Sequence, residues 1–216
     1  MGEAMPTKDN ILSARDTISG QLRETPLQRS PQLERLCESE VFLKLENYQV
    51  TGSFKARGGL NKLCSLDPEQ RKRGIIAASS GNHGAACAFG AGRVGSPVTV
   101  CVPTYASPSK IELIESYGAK VKHHGDDCLK TEVYARSLAQ ENGLVYVSPY
   151  NDQHIVAGQG TIAVELLEQA ENLDAVFISV GGGGLIAGMG TYLKATSPAT
   201  EVVACSPAAS PAMHAC

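Results

Sequence analysis

The chain has 216 residues, of which 43% are hydrophobic, and this is enough for one sizeable core or two small ones. Its formal net charge is −3, its basic residues are scattered, and only 5% of residues are aromatic, which argues against a nucleic-acid partner. No apolar run is long enough to cross a bilayer, and the polar first residues lack the apolar core of a signal peptide.

Strands and helices are predicted to alternate along the chain. Short apolar or β-branched runs predict strands at 41–45, 75–78, 98–102, 119–122, 144–147, 175–180 and 201–205, with 175–180 buried. Helical spacing follows Lys55 and recurs at 85–92, 107–117, 127–141, 155–169 and 185–195. This alternation is typical of βαβ units, so we predict an α/β fold with parallel sheets. The predicted small domain is 74–150, and 1–73 together with 151–216 form the larger domain.

The seven cysteines are widely spaced and never form a Cys-x-x-Cys pair. Most lie in apolar segments, where a free thiol behaves as a small hydrophobic side chain. The pattern predicts a reducing, cytoplasmic environment with neither a disulfide framework nor a zinc site.

Lys55 enters a predicted helix directly after a Thr-Gly-Ser turn. Taken alone, a lysine at such a position is ordinarily a solvated residue at the end of a helix. A lysine that forms a Schiff base must instead be neutral, which a partly buried pocket can arrange. Features elsewhere in the chain are needed to distinguish a solvated lysine from a Schiff-base lysine.

Four consecutive glycines, which we call the glycine loop (residues 181–184), lie between a predicted strand and a predicted helix. Residues without a Cβ allow backbone N–H groups to converge on an anion, and the following helix adds its dipole. Neither the Walker pattern nor the dinucleotide pattern is present. The loop is interpreted as a phosphate site, with a flexible turn as the alternative. A phosphate site together with Lys55 suggests a phosphorylated aldehyde held covalently, and pyridoxal phosphate (PLP) is the obvious candidate.

A second loop, which we call the serine loop (residues 79–84), has the sequence Ser-Ser-Gly-Asn-His-Gly and also joins a strand to a helix. Its hydroxyl and N–H groups suit a carboxylate. Taken alone it could be an ordinary capped turn, with His83 a hydrogen-bonded structural histidine.

Residues 123–128 have the composition of a metal site, His-His-Gly-Asp-Asp-Cys. Adjacent side chains on a strand point to opposite faces, so His123 and His124 cannot easily share an ion. A polar loop with Asp126 or Asp127 as the cap of the next helix is the preferred interpretation, and metal binding is the alternative.

Four segments in this order resemble the fold-type II PLP enzymes, specifically the serine/threonine dehydratase and serine racemase family. They are 51–58 (TGSFKARG), 79–84 (SSGNHG), 157–161 (AGQGT) and 181–185 (GGGGL). The resemblance implies a tryptophan-synthase-β-like architecture of two parallel-sheet subdomains. The larger subdomain is expected to be incomplete, because family chains continue further.

The resemblance also implies a role for each matching residue. Lys55 would hold PLP covalently and then act as the base at the substrate Cα, with Phe54 packed beside the cofactor ring and Asn82 bonded to the ring hydroxyl. Ser79, Gly81 and His83 would bind the substrate carboxylate. The phosphate would be held by Gly181, Gly182, Gly183, Gly184 and Leu185.

Ser80 matches the residue that, in the racemases, faces Cα from the side opposite the lysine; many dehydratases have alanine there. The implied enzyme is a PLP-dependent ammonia-lyase that converts L-serine or L-threonine to a 2-oxo acid and ammonia. Serine racemisation is a second implied activity if Ser80 returns a proton to Cα from the side opposite the lysine. A helix cap is the alternative role for Ser80.

Two departures from the family affect these expectations. The chain stops at Cys216, before the segment whose serine meets the pyridine nitrogen in the family. A truncated, non-catalytic PLP-binding module, or a partner of a full-length chain, is therefore the alternative function. Ser206 and Ala212 stand where cation-binding relatives have acidic residues, so we expect a divalent-cation site to be weakened or lost.

The expected partners are a small hydroxy amino acid as substrate and a second copy of the chain in a homodimer. No nucleic acid and no membrane are expected.

Overall fold

The structure is a computed structural model that describes residues 4–209. Its helices are α1 (Lys8–Ile18), α2 (Pro31–Cys37), α3 (Lys55–Cys64), α4 (Pro68–Arg73), α5 (Asn82–Val94), α6 (Pro108–Ser116), α7 (Cys128–Asn142), α8 (Gln153–Gln169) and α9 (Gly184–Thr196). A short 3-10 helix covers Glu46–Tyr48. None of the helices within the described range is long and apolar enough to span a bilayer.

The strands of the described residues form three sheets. They are β1 (Leu27–Arg29), β2 (Phe42–Lys44), β3 (Ile75–Ala78), β4 (Val98–Val102), β5 (Lys120–His123), β6 (Val145–Tyr146), β7 (Ala175–Ser179) and β8 (Glu201–Cys205). The largest sheet has the order β5-β4-β3-β6 and is parallel throughout, and β7 and β8 form a second parallel pair. The predicted α/β fold with parallel sheets is confirmed. The domain boundaries at 73/74 and 150/151 remain a prediction.

The helix α3 is held between two others, α5 and α8, and this packing positions its first residue, Lys55. Small residues make the close approach possible: a Cβ on Gly59 would lie 3.0 Å from the carbonyl oxygen of Ala86 in α5. On the other side, a Cβ on Gly158 would lie 2.6 Å from the Cα of Gly58. The buried side chain of Gln159 accepts the Gly58 N–H at 3.2 Å. The segment 157–161 is therefore the part of α8 that α3 crosses.

An ionic cluster, which we call the buried ionic cluster after its buried Arg57, is formed by Lys44, Glu46, Arg57 and Glu165 and ties α3 to α8 and to the 3-10 helix; its other three side chains are partly exposed. The Arg57 side chain is only 1% exposed, and its guanidinium nitrogens lie 2.8 Å from Glu46 and 2.5 Å from Glu165. Lys44 Nζ lies 2.6 Å from Glu165. Burial alone would raise the pKa of Glu165, but hydrogen bonds from Arg57 and Lys44 outweigh it and hold that pKa below its usual value. The cluster contains two positive and two negative groups, so its charges balance.

Strand β7 differs from the buried strand that the sequence predicts. Ile178 is buried against the core of α8 and α9, but Phe177 on the opposite face is 72% exposed. The reason is that the helices pack on only one face of the β7–β8 pair, while alternate residues of a strand point to opposite faces. The hydrophobic composition of the strand did not show this difference between its faces.

Candidate active site

Lys55 is the first residue of α3, and its amine is drawn into the protein rather than left in solvent. The Nζ atom donates a hydrogen bond to the carbonyl oxygen of Pro149 at 2.8 Å and lies 5.3 Å from the centre of the Phe54 ring. Burial lowers the pKa of the Lys55 amine below its ordinary value. A larger fraction of this amine is therefore neutral at a given pH than of a solvated lysine, as a nucleophilic lysine requires.

One short segment, residues 147–150 after β6, contacts all three predicted motifs. The carbonyl oxygen of Val147 accepts a hydrogen bond from His83 Nε2 at 3.0 Å, and the carbonyl oxygen of Pro149 accepts one from Lys55 at 2.8 Å. The Tyr150 ring packs against Gly182 of the glycine loop. Lys55, the serine loop and the glycine loop, which are far apart in sequence, therefore meet around one loop.

The glycine loop presents free backbone donors at the start of α9. The N–H groups of Gly181, Gly182 and Gly183 donate to no acceptor within residues 4–209. Gly183 has a φ of 84°, in the left-handed region that favours glycine, and α9 begins at the next residue. Unpaired N–H groups at the N-terminus of a 13-residue helix are suited to an anion, and phosphate binding here stays a prediction.

The serine loop leads from β3 into α5. The N-cap residue of α5 is Gly81, and no side chain caps this helix, so the structure does not support the helix-cap role for Ser80. Ser79 Oγ accepts the Gly81 N–H at 3.2 Å. Ser79 and Ser80 are half-buried and Asn82 is exposed. The Ser80 hydroxyl and the Asn82 amide have no hydrogen-bond partner in the part of the chain that the structure describes, so both are available to a ligand.

His83 differs from its neighbours in the loop because its ring is enclosed, with the residue only 4% exposed. A carbonyl can only accept, so the contact with Val147 places the proton on Nε2. Burial lowers the pKa of His83 to about 4, and the nearby Lys55 acts in the same direction. A neutral ring bonded to the main chain corresponds to the structural histidine that the sequence left as the alternative. Contact with a substrate carboxylate stays a prediction.

The segment 123–128 is a strand end and a helix cap. Asp127 caps α7 by accepting the Lys130 N–H at 2.7 Å, as one of the two predicted caps. His124 stacks on Tyr134 with ring centres 3.7 Å apart. Within residues 4–209 no group of His, Cys, Asp or Glu side chains could hold a metal ion.

The cation prediction is left open by the structure. The Ser206 hydroxyl lies 3.5 Å from the carbonyl oxygen of Val180, and Ala212 lies outside the described residues.

Sequence reasoning missed Pro149 and Tyr150. They belong to a loop without a recognisable motif, and their contacts with Lys55 and Gly182 arise only when distant segments pack together. The residue type of Tyr150 gave only a weak signal, because an aromatic residue three positions before a helix is an ordinary feature of loops.

Comparison with known proteins places this arrangement in a family. The family model described as "Pyridoxal-phosphate dependent enzyme" matches residues 18–216. The chain is 44% identical over 195 residues to an L-threonine dehydratase, catabolic TdcB, of Staphylococcus aureus, covering 90% of this chain and 56% of that protein. The chain thus spans little more than half the length of such curated relatives.

Solved structures of relatives have the same fold. Maize serine racemase superposes with a TM-score of 0.91 at 33% identity, covering 95% of this chain and 62% of that one. The processed form of threonine deaminase isoform 2 from Solanum lycopersicum superposes with a TM-score of 0.87 at 30% identity, covering 95% and 58%. The predicted fold-type II architecture and the resemblance to dehydratases and racemases are confirmed. The chain belongs to the pyridoxal-phosphate dependent enzyme family, among relatives of the threonine dehydratases and serine racemases.

Proposed function

We propose that this chain binds PLP through Lys55 and carries the residues for dehydration of L-serine or L-threonine to a 2-oxo acid and ammonia. The observation that carries the proposal is the Lys55 amine, which is desolvated, shifted towards neutrality and held 2.8 Å from Pro149. Serine racemisation is the second outcome of the same proton chemistry. The names of the relatives, threonine dehydratase and serine racemase, support this substrate class.

The residues fit PLP in three respects. Lys55 offers an amine that can be neutral, and the glycine loop offers free N–H donors and a helix N-terminus for the phosphate. In the turn before Lys55, Thr51 Oγ1 and Ser53 Oγ are buried without a hydrogen-bond partner among the described residues. Such atoms cost free energy unless a partner is supplied, which suggests that this turn is completed by a further group.

Proposed roles follow from these positions. When bound, PLP supplies an electron sink for the charge that develops at the substrate Cα. Lys55 removes the Cα proton, since its lowered pKa makes the amine a base at a lower pH than an ordinary lysine. Loss of the β-hydroxyl as water, followed by hydrolysis, gives the 2-oxo acid and ammonia.

The two loops would orient the reactants. Asn82, exposed at the start of α5, would bond the ring hydroxyl, and Phe54 would pack beside the ring. Ser79 and Gly81 would bind the substrate carboxylate at the N-terminus of α5. The unpartnered Ser80 hydroxyl would return a proton to the face of Cα opposite Lys55, and this step would produce the other enantiomer.

The test is covalent labelling of the purified 216-residue chain. PLP should give the absorbance band of a Schiff base, borohydride should fix it, and peptide mapping should locate it on Lys55. Lys55→Ala should abolish the band, while Lys110→Ala, an exposed lysine in α6, should leave it unchanged. A band that survives Lys55→Ala would show that the assignment is wrong.

Turnover then separates the two functions that the sequence left open. Ammonia and 2-oxo acid formed from L-serine or L-threonine by a homogeneous sample would support the enzyme. Labelling of Lys55 without turnover would support a PLP-binding module or a partner of a full-length chain.

A further inference from the structure

We propose that Tyr150 is a positioning residue for the phosphate: its ring, seated on Gly182, holds the glycine loop in the conformation that binds the anion. The proposal rests on the proposed function, because it concerns the site to which the cofactor phosphate would bind. It assigns a role to a residue outside every motif of the sequence.

The first observation is steric. A Cβ built on Gly182 would lie 2.4 Å from Cγ and Cδ1 of the Tyr150 ring and 2.9 Å from Cε1. The ring therefore occupies the space that any side chain at residue 182 would need. Gly182 has no positive φ, unlike Gly183, so its backbone conformation does not require glycine. Contact with the Tyr150 ring is what requires glycine at this position.

The second observation is that the contact continues along the main chain. A Cβ on Gly184, the first residue of α9, would lie 3.1 Å from the Cα of Tyr150. The residue before Tyr150 is Pro149, whose carbonyl accepts the Lys55 amine. Two adjacent residues therefore contact the two parts of the site, Pro149 the Lys55 amine and Tyr150 the glycine loop.

The segment that carries Tyr150 is itself anchored. The Asn151 N–H donates to Ser148 Oγ at 3.1 Å. Asp152 caps α8 through the N–H groups of His154 and Ile155, and its other oxygen lies 2.6 Å from Lys62 Nζ in α3. A residue fixed in this way can hold the glycine loop in one conformation, whereas four unsupported glycines would lose much conformational entropy on ordering.

The alternative is that the ring merely covers a surface groove. Tyr150 is 40% exposed, so its burial contributes less to stability than that of a fully enclosed ring. A surface role predicts no coupling between residue 150 and residue 182 in cofactor affinity, and no change in the dynamics of the glycine loop. A positioning role predicts both, because an ordered site binds more tightly than one that must order on binding.

The experiment is a double-mutant cycle in the 216-residue chain with PLP as the probe, followed by its absorbance. Tyr150→Ala should weaken PLP binding about tenfold, or about 1.4 kcal/mol, while saturating PLP still labels Lys55. Tyr150→Phe should bind within about twofold of the parent. Gly182→Ala should cost about tenfold in the parent, where the methyl displaces the ring, but at most about twofold in the Tyr150→Ala background.

A second measurement needs no cofactor. Backbone order parameters of residues 181–185, measured by NMR relaxation in the PLP-free chain, should fall in Tyr150→Ala and stay unchanged in Tyr105→Ala, which removes another exposed tyrosine. Unchanged order parameters in Tyr150→Ala, or a Gly182→Ala penalty that is equally large without the ring, would overturn the proposal. If the parent chain fails to bind PLP, the proposed function fails, but the relaxation measurement still decides whether Tyr150 positions the loop.

Discussion

His83 is a neutral group enclosed next to Lys55, and this has a consequence for stability against pH. Its pKa is about 4 in the folded chain and near 6.5 when unfolded. Between these values the unfolded chain binds more protons than the folded chain, so stability falls as pH decreases from 6.5 towards 4. We expect His83 to account for a loss of about 2 kcal/mol in the free energy of unfolding between pH 7 and pH 5.

Urea unfolding at the two pH values checks this expectation in His83→Gln, whose amide can still donate to Val147. The variant should lose about 2 kcal/mol less than the parent between pH 7 and pH 5. His123→Gln, at the exposed end of β5, is the matched control and should follow the parent. Equal pH dependence in all three proteins would contradict the proposed neutral state of His83.

Ser80 should be required for racemisation but not for elimination. Its hydroxyl has no hydrogen-bond partner among the described residues, and an alanine cannot move a proton. Provided that the parent turns over both reactions, Ser80→Ala should lower D-serine formation by at least about 100-fold, as for removal of an acid–base group. Ammonia release should change far less. The ratio of D-serine to ammonia is the measurement, and a parallel fall of both products would contradict the role.

The crossing of α3 and α8 should be the least tolerant contact between elements. A Cβ on Gly158 would meet main-chain atoms of Arg57 and Gly58 at 2.6 to 2.8 Å, and main chain cannot rotate away. Gly158→Ala should therefore destabilise the fold by about 3 kcal/mol or more, near the upper end of overpacking effects. Because Lys55 is the first residue of α3, Gly158→Ala should also lower the covalent labelling of Lys55 by PLP.

The control for that substitution is Gly190→Ala in α9. A Cβ there would meet nothing within 4 Å, so the substitution should stabilise the chain by about 0.4 to 1 kcal/mol through the helix propensity of alanine. Urea unfolding distinguishes the two. Similar stability of Gly158→Ala and Gly190→Ala would mean that the helices are not as close as described.

At the scale of elements, periodicity predicted β3, β4 and β8 with their observed bounds and most other elements to within three residues at either end. It missed the three-residue strand β1 and the short helices α2 and α4, which bury no residues and so show no apolar stripe. It also missed α1, although two features of the sequence indicate this helix: the Thr7–Asn10 capping box and the helical spacing of Ile11, Ala14 and Ile18. The two loops and Lys55 were predictable because their chemistry is local, but the Pro149 and Tyr150 contacts are tertiary.

For the whole molecule, self-association of the chain should depend on the face of the β7–β8 pair that no helix covers. Phe177 is exposed, and within the described residues no strand pairs with the outer edges of β7 and β8. Such a face promotes self-association. Phe177→Lys should reduce association in light scattering and shift the free energy of unfolding by less than about 0.5 kcal/mol.

Ile178→Lys is the contrasting variant, because it places a charge on the buried face of the same strand. It should unfold the packing of the β7–β8 pair against α8 and α9, or raise aggregation. If Phe177→Lys associates as strongly as the parent, the exposed face is not the contact surface.

The buried ionic cluster has a consequence for how this chain can evolve. Removing one member leaves the cluster around the buried Arg57 with an unbalanced charge, which costs up to about 3 kcal/mol. A change at Glu165 is therefore tolerable only if Arg57 or Lys44 changes too. Lys44, Glu46, Arg57 and Glu165 should be inherited as one unit, kept or replaced together in homologous sequences, although they come from separate segments and none of them contacts the Lys55 amine.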